Sequence, residues 1–211
     1  VGVEQIYKAV IEGNMPGVEA GVKQALEDKT PAETILKEGL IAPMDEVGRR
    51  FEAGEYYVPE MLIAARAMKA GIALLRPILA ETGVEPVGKV IMGTVSGDLH
   101  DIGKNLVGLM LEGAGFLVVD VGTDVSPQAF VEAVKKEQPQ LLGMSALLTT
   151  TMPNAGETVK ALKEAGLKDS VKVMIGGAPV TQGFADQIGA DGFAEDAARA
   201  VRQAKALLGL S

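Results

Sequence analysis

The chain has no cysteine, no tryptophan and a single histidine. Without thiols there is no disulfide framework, no zinc–thiolate site and no iron–sulfur cluster. Aromatic residues make up 4 % of the 211, so the core must be built from Val, Ile, Leu, Met and Ala. Positive charge is also short: 20 Lys and Arg stand against 28 Asp and Glu, a net of −8. With no basic block, a nucleic-acid partner is not expected, because binding to phosphates needs clustered cations. No apolar run approaches the roughly 18–20 residues that a membrane span requires, so no membrane association is expected. The first residues, VGVEQIYKAV, have neither a basic start nor a long apolar stretch. A secretory leader is therefore not expected there, and a cytoplasmic location is.

What is present is an ordinary globular balance of 47 % hydrophobic and 23 % charged residues, enough for one large or two modest domains. The pattern changes near residue 85. Before it, apolar residues recur at helical spacing, which predicts helices near 3–13, 16–28, 31–40, 43–53 and 59–81. In DKTPAETIL, Thr30 followed by Pro31 and Glu33 reads as a capping box. Pro77 is expected to kink or break the last helix. Residues 1–82 thus read as a helical-bundle cap and 83–88, with Gly83, Pro86 and Gly88, as a linker. From 89 to 211, apolar strands near 89–95, 116–121, 140–145, 171–176 and 191–194 alternate with amphipathic helices. That alternation signals a doubly wound parallel sheet, and five βα units suggest the flavodoxin-like order 2-1-3-4-5.

In such a sheet, ligands bind beyond the carboxyl ends of the strands at the point where the order reverses. The unusual residues collect there. Strand 1 runs into VSGDLHDIGKN, which holds His100, strand 3 into SALLTTTMPN, strand 4 into GGAP, and strand 5 into GFAED. A zinc site would need further His or Cys ligands. A serine hydrolase would need a G-x-S-x-G elbow, and a P-loop its GxxxxGK[ST]; neither motif occurs. What remains is one imidazole acting on an exogenous group. Asp98, two residues earlier, points to the same side of an extended loop and is placed to orient the ring, as carboxylates do for metal-bound histidines.

Asp98-x-His100-x-x-Gly103, then Ser145-x-Leu147, then Gly176-Gly177, resembles the cobalamin-binding module of methionine synthase, base-off mutases and the corrinoid proteins of methyltransferase systems. The N-terminal segment FEAGEYYVPEMLIAARAM is similar to the helical cap of the methyl-transferring members, so the resemblance spans nearly the whole chain. It is nearest to the stand-alone corrinoid proteins of anaerobic methylamine, methanol and methoxyaromatic one-carbon metabolism. The resemblance implies that His100 replaces the cofactor's benzimidazole as lower ligand to cobalt (base-off/His-on). The displaced nucleotide tail would lie in a slot lined by Asp101, Ile102, Gly103, Ser145, Leu147, Thr149, Gly176, Gly177 and Phe193. In methionine synthase a serine extends the His–Asp pair; Thr151 holds the matching position here and would complete a His100–Asp98–Thr151 relay. Phe51, Tyr57, Val58 and Met61 read equally as bundle core or as the covering of the cofactor's upper face.

The implied function is a methyl carrier cycling between cob(I)alamin and methylcobalamin. It would take the methyl group from a substrate-specific methyltransferase and deliver it to an acceptor methyltransferase acting on a folate or thiol, with a corrinoid reductive activator as a further partner. The resemblance implies a carrying subunit rather than a complete enzyme. The alternatives are the small subunit of a carbon-skeleton mutase, against which the bundle argues, and a cobalamin-dependent sensor, for which no output segment is visible.

Each residue also has an ordinary role open to it. Asp98 or Asp101 suits the cap of the helix near 102, the hydroxyls suit turns, and the glycines suit a tight βα connection. Their joint arrival at successive strand ends favours a site.

Overall fold

The structure is a computed structural model describing residues 2–82 and 85–210. Its contacts divide the chain into two compact units, Val1–Pro86 with Glu112–Gly115, and Val87–Leu111 with Phe116–Ser211. Gly83 and Val84, part of the expected linker, lie outside the described residues; Glu85–Gly88 form neither helix nor strand.

The first unit is helical. It comprises α1 (Gly2–Ile11), α2 (Met15–Glu27), a single turn α3 (Ala32–Thr34), a π-helical segment (Ile35–Ile41), α4 (Ala42–Glu52) and α5 (Val58–Thr82). Apolar side chains at helical spacing, among them Ile6, Val10, Val18, Val22, Leu40, Met68 and Leu75, are buried at its centre. Asn14 caps α2, its side-chain oxygen accepting from the Gly17 N–H at 3.0 Å.

Three details differ from the sequence expectation. Thr30 is not an N-cap: Pro31 is extended (φ −55°, ψ 133°), the helix opens at Ala32, and no side chain caps it. Glu33 reaches forward to Lys37 at 2.6 Å instead of back to the cap. The expected gap before Pro43 is closed by the π-helical segment, whose carbonyls are shared out in a wider ring, with Ala42 N–H donating to Lys37 C=O. That wider register lets the chain enter α4 through a proline that has no N–H to give. Pro77, expected to kink or break the helix, lies inside α5, which continues to Thr82.

The second unit is a five-stranded, all-parallel sheet: β1 (Lys89–Thr94), β2 (Leu117–Asp120), β3 (Leu141–Ser145), β4 (Lys172–Gly176) and β5 (Gly192–Ala194). The order is β2-β1-β3-β4-β5, as the βα alternation predicts. The helices between and after them are α6 (Ile102–Gly113), α7 (Pro127–Glu137), α8 (Pro153–Glu164), α9 (Gln182–Ile188) and α10 (Ala197–Leu207). Ser126, Thr181 and Asp196 cap α7, α9 and α10 with their own side-chain oxygens.

Strand alternation sorts the side chains to two faces. On one, Ile91, Leu142, Val173 and Ile175 pack with Phe130, Val134, Val159 and Leu162 of α7 and α8. Phe130 is fully buried there, and its truncation to Ala would cost about 3–5 kcal/mol. On the other face stand Met92, Gly143, Ser145, Met174, Gly176 and Ala194, where the sheet opens into a cavity.

Candidate functional site: a single imidazole above a glycine-lined cavity

The chain leaves β1 through a loop that is clamped from several sides. Val95 bridges to Val125, Asp124 accepts the Gly97 N–H at 2.7 Å, and Asn154 Nδ2 donates to the Ser96 carbonyl at 2.7 Å. Asp124 N–H in turn donates to the Asp98 carbonyl at 3.0 Å. These bonds leave residues 95–98 little freedom, and they fix where the next side chains point.

Asp98 is fully buried, and its carboxylate gathers donors from two strand ends. Oδ1 accepts His100 Nδ1 at 2.7 Å and the His100 backbone N–H at 3.1 Å. Oδ2 accepts the Leu147 N–H and the Thr151 hydroxyl, each at 2.8 Å. Burial alone pushes this carboxyl up, but the hydrogen bonds from Leu147, His100 and Thr151 outweigh it. The net result holds Asp98 well below the usual carboxylate range. An ionised carboxylate only accepts, so Nδ1 carries a proton, and in the neutral ring Nε2 keeps its lone pair. The His100 side chain is half exposed and lines the cavity mouth. The arrangement therefore offers one oriented, basic nitrogen to an external group.

Behind it, two further residues fix the loop's backbone. Thr94, at the end of β1, is fully buried and donates to the His100 carbonyl at 2.9 Å. Its hydroxyl also lies 2.9 Å from that of Ser145, its register partner on β3. Lys104 is buried too; its ammonium donates to Asn105 Oδ1 at 2.7 Å and pairs with the Asp120 carboxylate. Asn105 passes the restraint on, donating to Asp101 Oδ2 at 3.0 Å.

The cavity measures about 490 Å³ and lies between the strand ends and helices α6 and α10. Of the sequence-predicted residues, His100, Asp101, Ile102, Gly103, Ser145, Leu147, Gly176 and Gly177 line it. Met92, Met174 and Val107 also line it. Gly177 takes φ +129°, and a Cβ there would sit 1.9 Å from the Ala146 carbonyl oxygen, so the β3 and β4 loops pass backbone against backbone. At Gly103 an added Cβ would meet nothing within 4 Å, so it would occupy open space in the cavity wall.

Other predicted residues lie elsewhere. Asp98 and Thr151 stand behind His100, not in the cavity wall. Thr149 is exposed in the turn after β3 and does not line the cavity. Phe193, expected along the tail slot, is turned to the other face: its register partner is Ile175, and it packs against the core there. Ala194 takes the cavity side instead. In the helical unit, Tyr57 is exposed and Met61 fully buried.

Sequence reasoning missed Thr94, Asp124, Asn154 and Lys104. For Thr94 the available signal was a hydroxyl at the end of a largely apolar strand, opposite another in β3.

Among the described residues no group of three or more His, Asp or Glu is placed to hold a metal ion. One nitrogen ligand therefore suits a metal whose remaining positions are filled from outside the chain. The oriented Nε2, the cavity beside it and the empty space at Gly103 fit a corrinoid.

The comparisons agree. The family described as B12 binding domain matches residues 88–202, and a second B12 binding domain family matches residues 3–76. The chain is 45 % identical to dimethylamine corrinoid protein 1 of Methanosarcina acetivorans, over 98 % of this chain and 97 % of that protein. Among solved structures, it is similar to the methanol:cobalamin methyltransferase complex of Methanosarcina barkeri. There the TM-score is 0.88 at 33 % identity, covering 100 % of this chain and 80 % of that one. A cobalamin-binding protein of Desulfitobacterium hafniense matches with TM-score 0.81 at 33 % identity, covering 97 % and 98 %. No helix among the described residues is long and apolar enough to cross a membrane.

Proposed function

The chain belongs to the family of cobalamin-binding corrinoid proteins of methyltransferase systems, and from that premise we propose that it carries methyl groups with His100 Nε2 as the lower ligand to cobalt. The observation that carries the ligand assignment is the 2.7 Å contact between His100 Nδ1 and a buried, ionised Asp98 at the mouth of a cavity. When bound, the corrinoid's cobalt supplies the capacity to accept a methyl group and to give it up.

The chain's own residues do the rest. Asp98 fixes the ring and the tautomer, raising the basicity of Nε2. Leu147 N–H and the Thr151 hydroxyl hold Asp98 in turn. With Nε2 uncoordinated, the ring could take a proton there, and the Asp98 carboxylate would balance the resulting imidazolium. The cavity between the strand ends, α6 and α10 would receive the cofactor's nucleotide tail, with Gly103 leaving room for it.

The partners of this reading are a substrate-specific methyltransferase, an acceptor methyltransferase acting on a folate or thiol, and a reductive activator. The methyl donor is chosen by the first of these. Relatives named for dimethylamine and a complex named for methanol support such a division of labour.

The absorption spectrum of the cofactor-loaded protein tests the ligand. His100→Ala is expected to abolish the features of nitrogen coordination below the corrin. Because the chain has one histidine, labelling with ¹⁵N-histidine marks that ligand alone; in the paramagnetic cobalt(II) form it should alter the nitrogen hyperfine splitting. An unchanged spectrum in the variant would overturn the assignment.

A further inference from the structure

Thr94, Ser145 and the His100 carbonyl form a chain of three oxygens with only two hydroxyl hydrogens between them. A carbonyl cannot donate, so the Thr94 hydrogen goes to His100 C=O at 2.9 Å. The 2.9 Å contact between the hydroxyls must then use the hydrogen of Ser145. Ser145 lines the cavity, and in this arrangement it turns only lone pairs towards whatever lies there. A ligand atom that donates meets Ser145 without cost. A ligand atom that accepts can be satisfied only if Ser145 turns its hydrogen outward. Thr94 must then either donate to Ser145, abandoning the His100 carbonyl, or sit in a close oxygen–oxygen contact with no hydrogen between them.

We propose that Thr94 is a positioning residue which, through Ser145, couples the chemistry of the group occupying the cavity to the backbone of His100. This rests on the corrinoid reading given above and adds to it: the hydroxyl pair makes the protein sensitive to whether the lower base carries a ring nitrogen able to accept. Thr94 does not line the cavity, so its effect on a ligand runs through Ser145.

The test is a binding ratio. Apoprotein is titrated with two complete corrinoids, one ending in benzimidazole and one in a phenolic ring without ring nitrogen. In Thr94→Val, Ser145 is free to donate into the cavity at no cost. The preference for the benzimidazole form, as a ratio of Kd values, is expected to rise about tenfold over wild type, the worth of one hydrogen bond. In a Ser145→Ala background the same substitution should leave the ratio unchanged. Thr94→Ser, which keeps the hydroxyl, should keep the wild-type ratio, and Thr94→Ala carries the same expectation as valine should that variant not fold. A Thr94→Val change that shifts both affinities equally, or a raised ratio that persists without Ser145, would overturn the proposal. If neither corrinoid bound wild-type protein, the cofactor reading itself would fall, and the coupling with it.

Discussion

Replacing Asp98 by Asn tests the site at its most connected atom pair. The native carboxylate accepts four hydrogen bonds of 2.7 to 3.1 Å, two on each oxygen, from His100, Leu147 and Thr151, and a longer one at 3.4 Å from the Leu148 N–H. Asparagine keeps one accepting oxygen and turns the other position into a donor, so in either orientation a backbone N–H loses its acceptor and the neighbouring ring or hydroxyl must reverse its role. If the amide nitrogen replaces Oδ2, it confronts the Leu147 N–H. If it replaces Oδ1, it confronts the His100 N–H, and the ring must accept at Nδ1 and carry its proton on Nε2. Bonds to a buried charge contribute about 1.5–3 kcal/mol each, so a loss of about 3 kcal/mol in unfolding free energy is expected at neutral pH. Urea titration of the apoprotein measures it.

The difference should also depend on pH. Asp98 titrates lower in the folded chain than in the unfolded one. Its stabilisation is therefore fully present above the unfolded value of about 4 and is lost as pH falls towards the folded one. The gap between wild type and Asp98→Asn should narrow as pH falls below the unfolded value of about 4. A loss below about 1 kcal/mol, or a gap indifferent to acid, would refute the account of Asp98 as an ionised hub.

Three further substitutions probe the same architecture. Thr151→Val removes one of the two shorter hydrogen bonds to Asp98 Oδ2 and should cost about 1–2 kcal/mol in thermal or urea unfolding, with Thr151→Ser restoring most of it. Gly177→Ala demands φ +129° of an L-residue and drives a Cβ into the Ala146 carbonyl, so loss of more than about 3 kcal/mol, or failure to fold, is expected in expression and melting assays. Gly103→Leu should separate stability from binding: near the start of α6 it gains about 0.5–1 kcal/mol in helix propensity, yet it fills the cavity and should weaken corrinoid binding at least tenfold in titration.

Much of this was legible in the sequence because the deciding signals are local. Alternating apolar runs and helical stretches place the five strands and their order, and Asp98-x-His100 places carboxylate and imidazole on one side of a loop. Thr151 was found only through a family resemblance, since a separation of 53 positions from Asp98 hides the contact. The misses share a cause: they depend on register or on competing local bonds. Phe193 sits in a three-residue strand whose facing is set by its pairing with Ile175, not by its own pattern. Thr94 matters because the β1–β3 register puts it against Ser145. Thr30 lost the cap to an extended Pro31, and Glu33 found a partner one turn ahead in Lys37.

The Leu147 amide hydrogen points at the same carboxylate that steadies the imidazole, although it belongs to the loop after another strand. Any event that draws electron density out of the ring is thus felt one residue from the exposed Leu148, well outside the β1 loop. Solvent exchange at that one amide would report on the Asp98–His100 contact without a probe being attached.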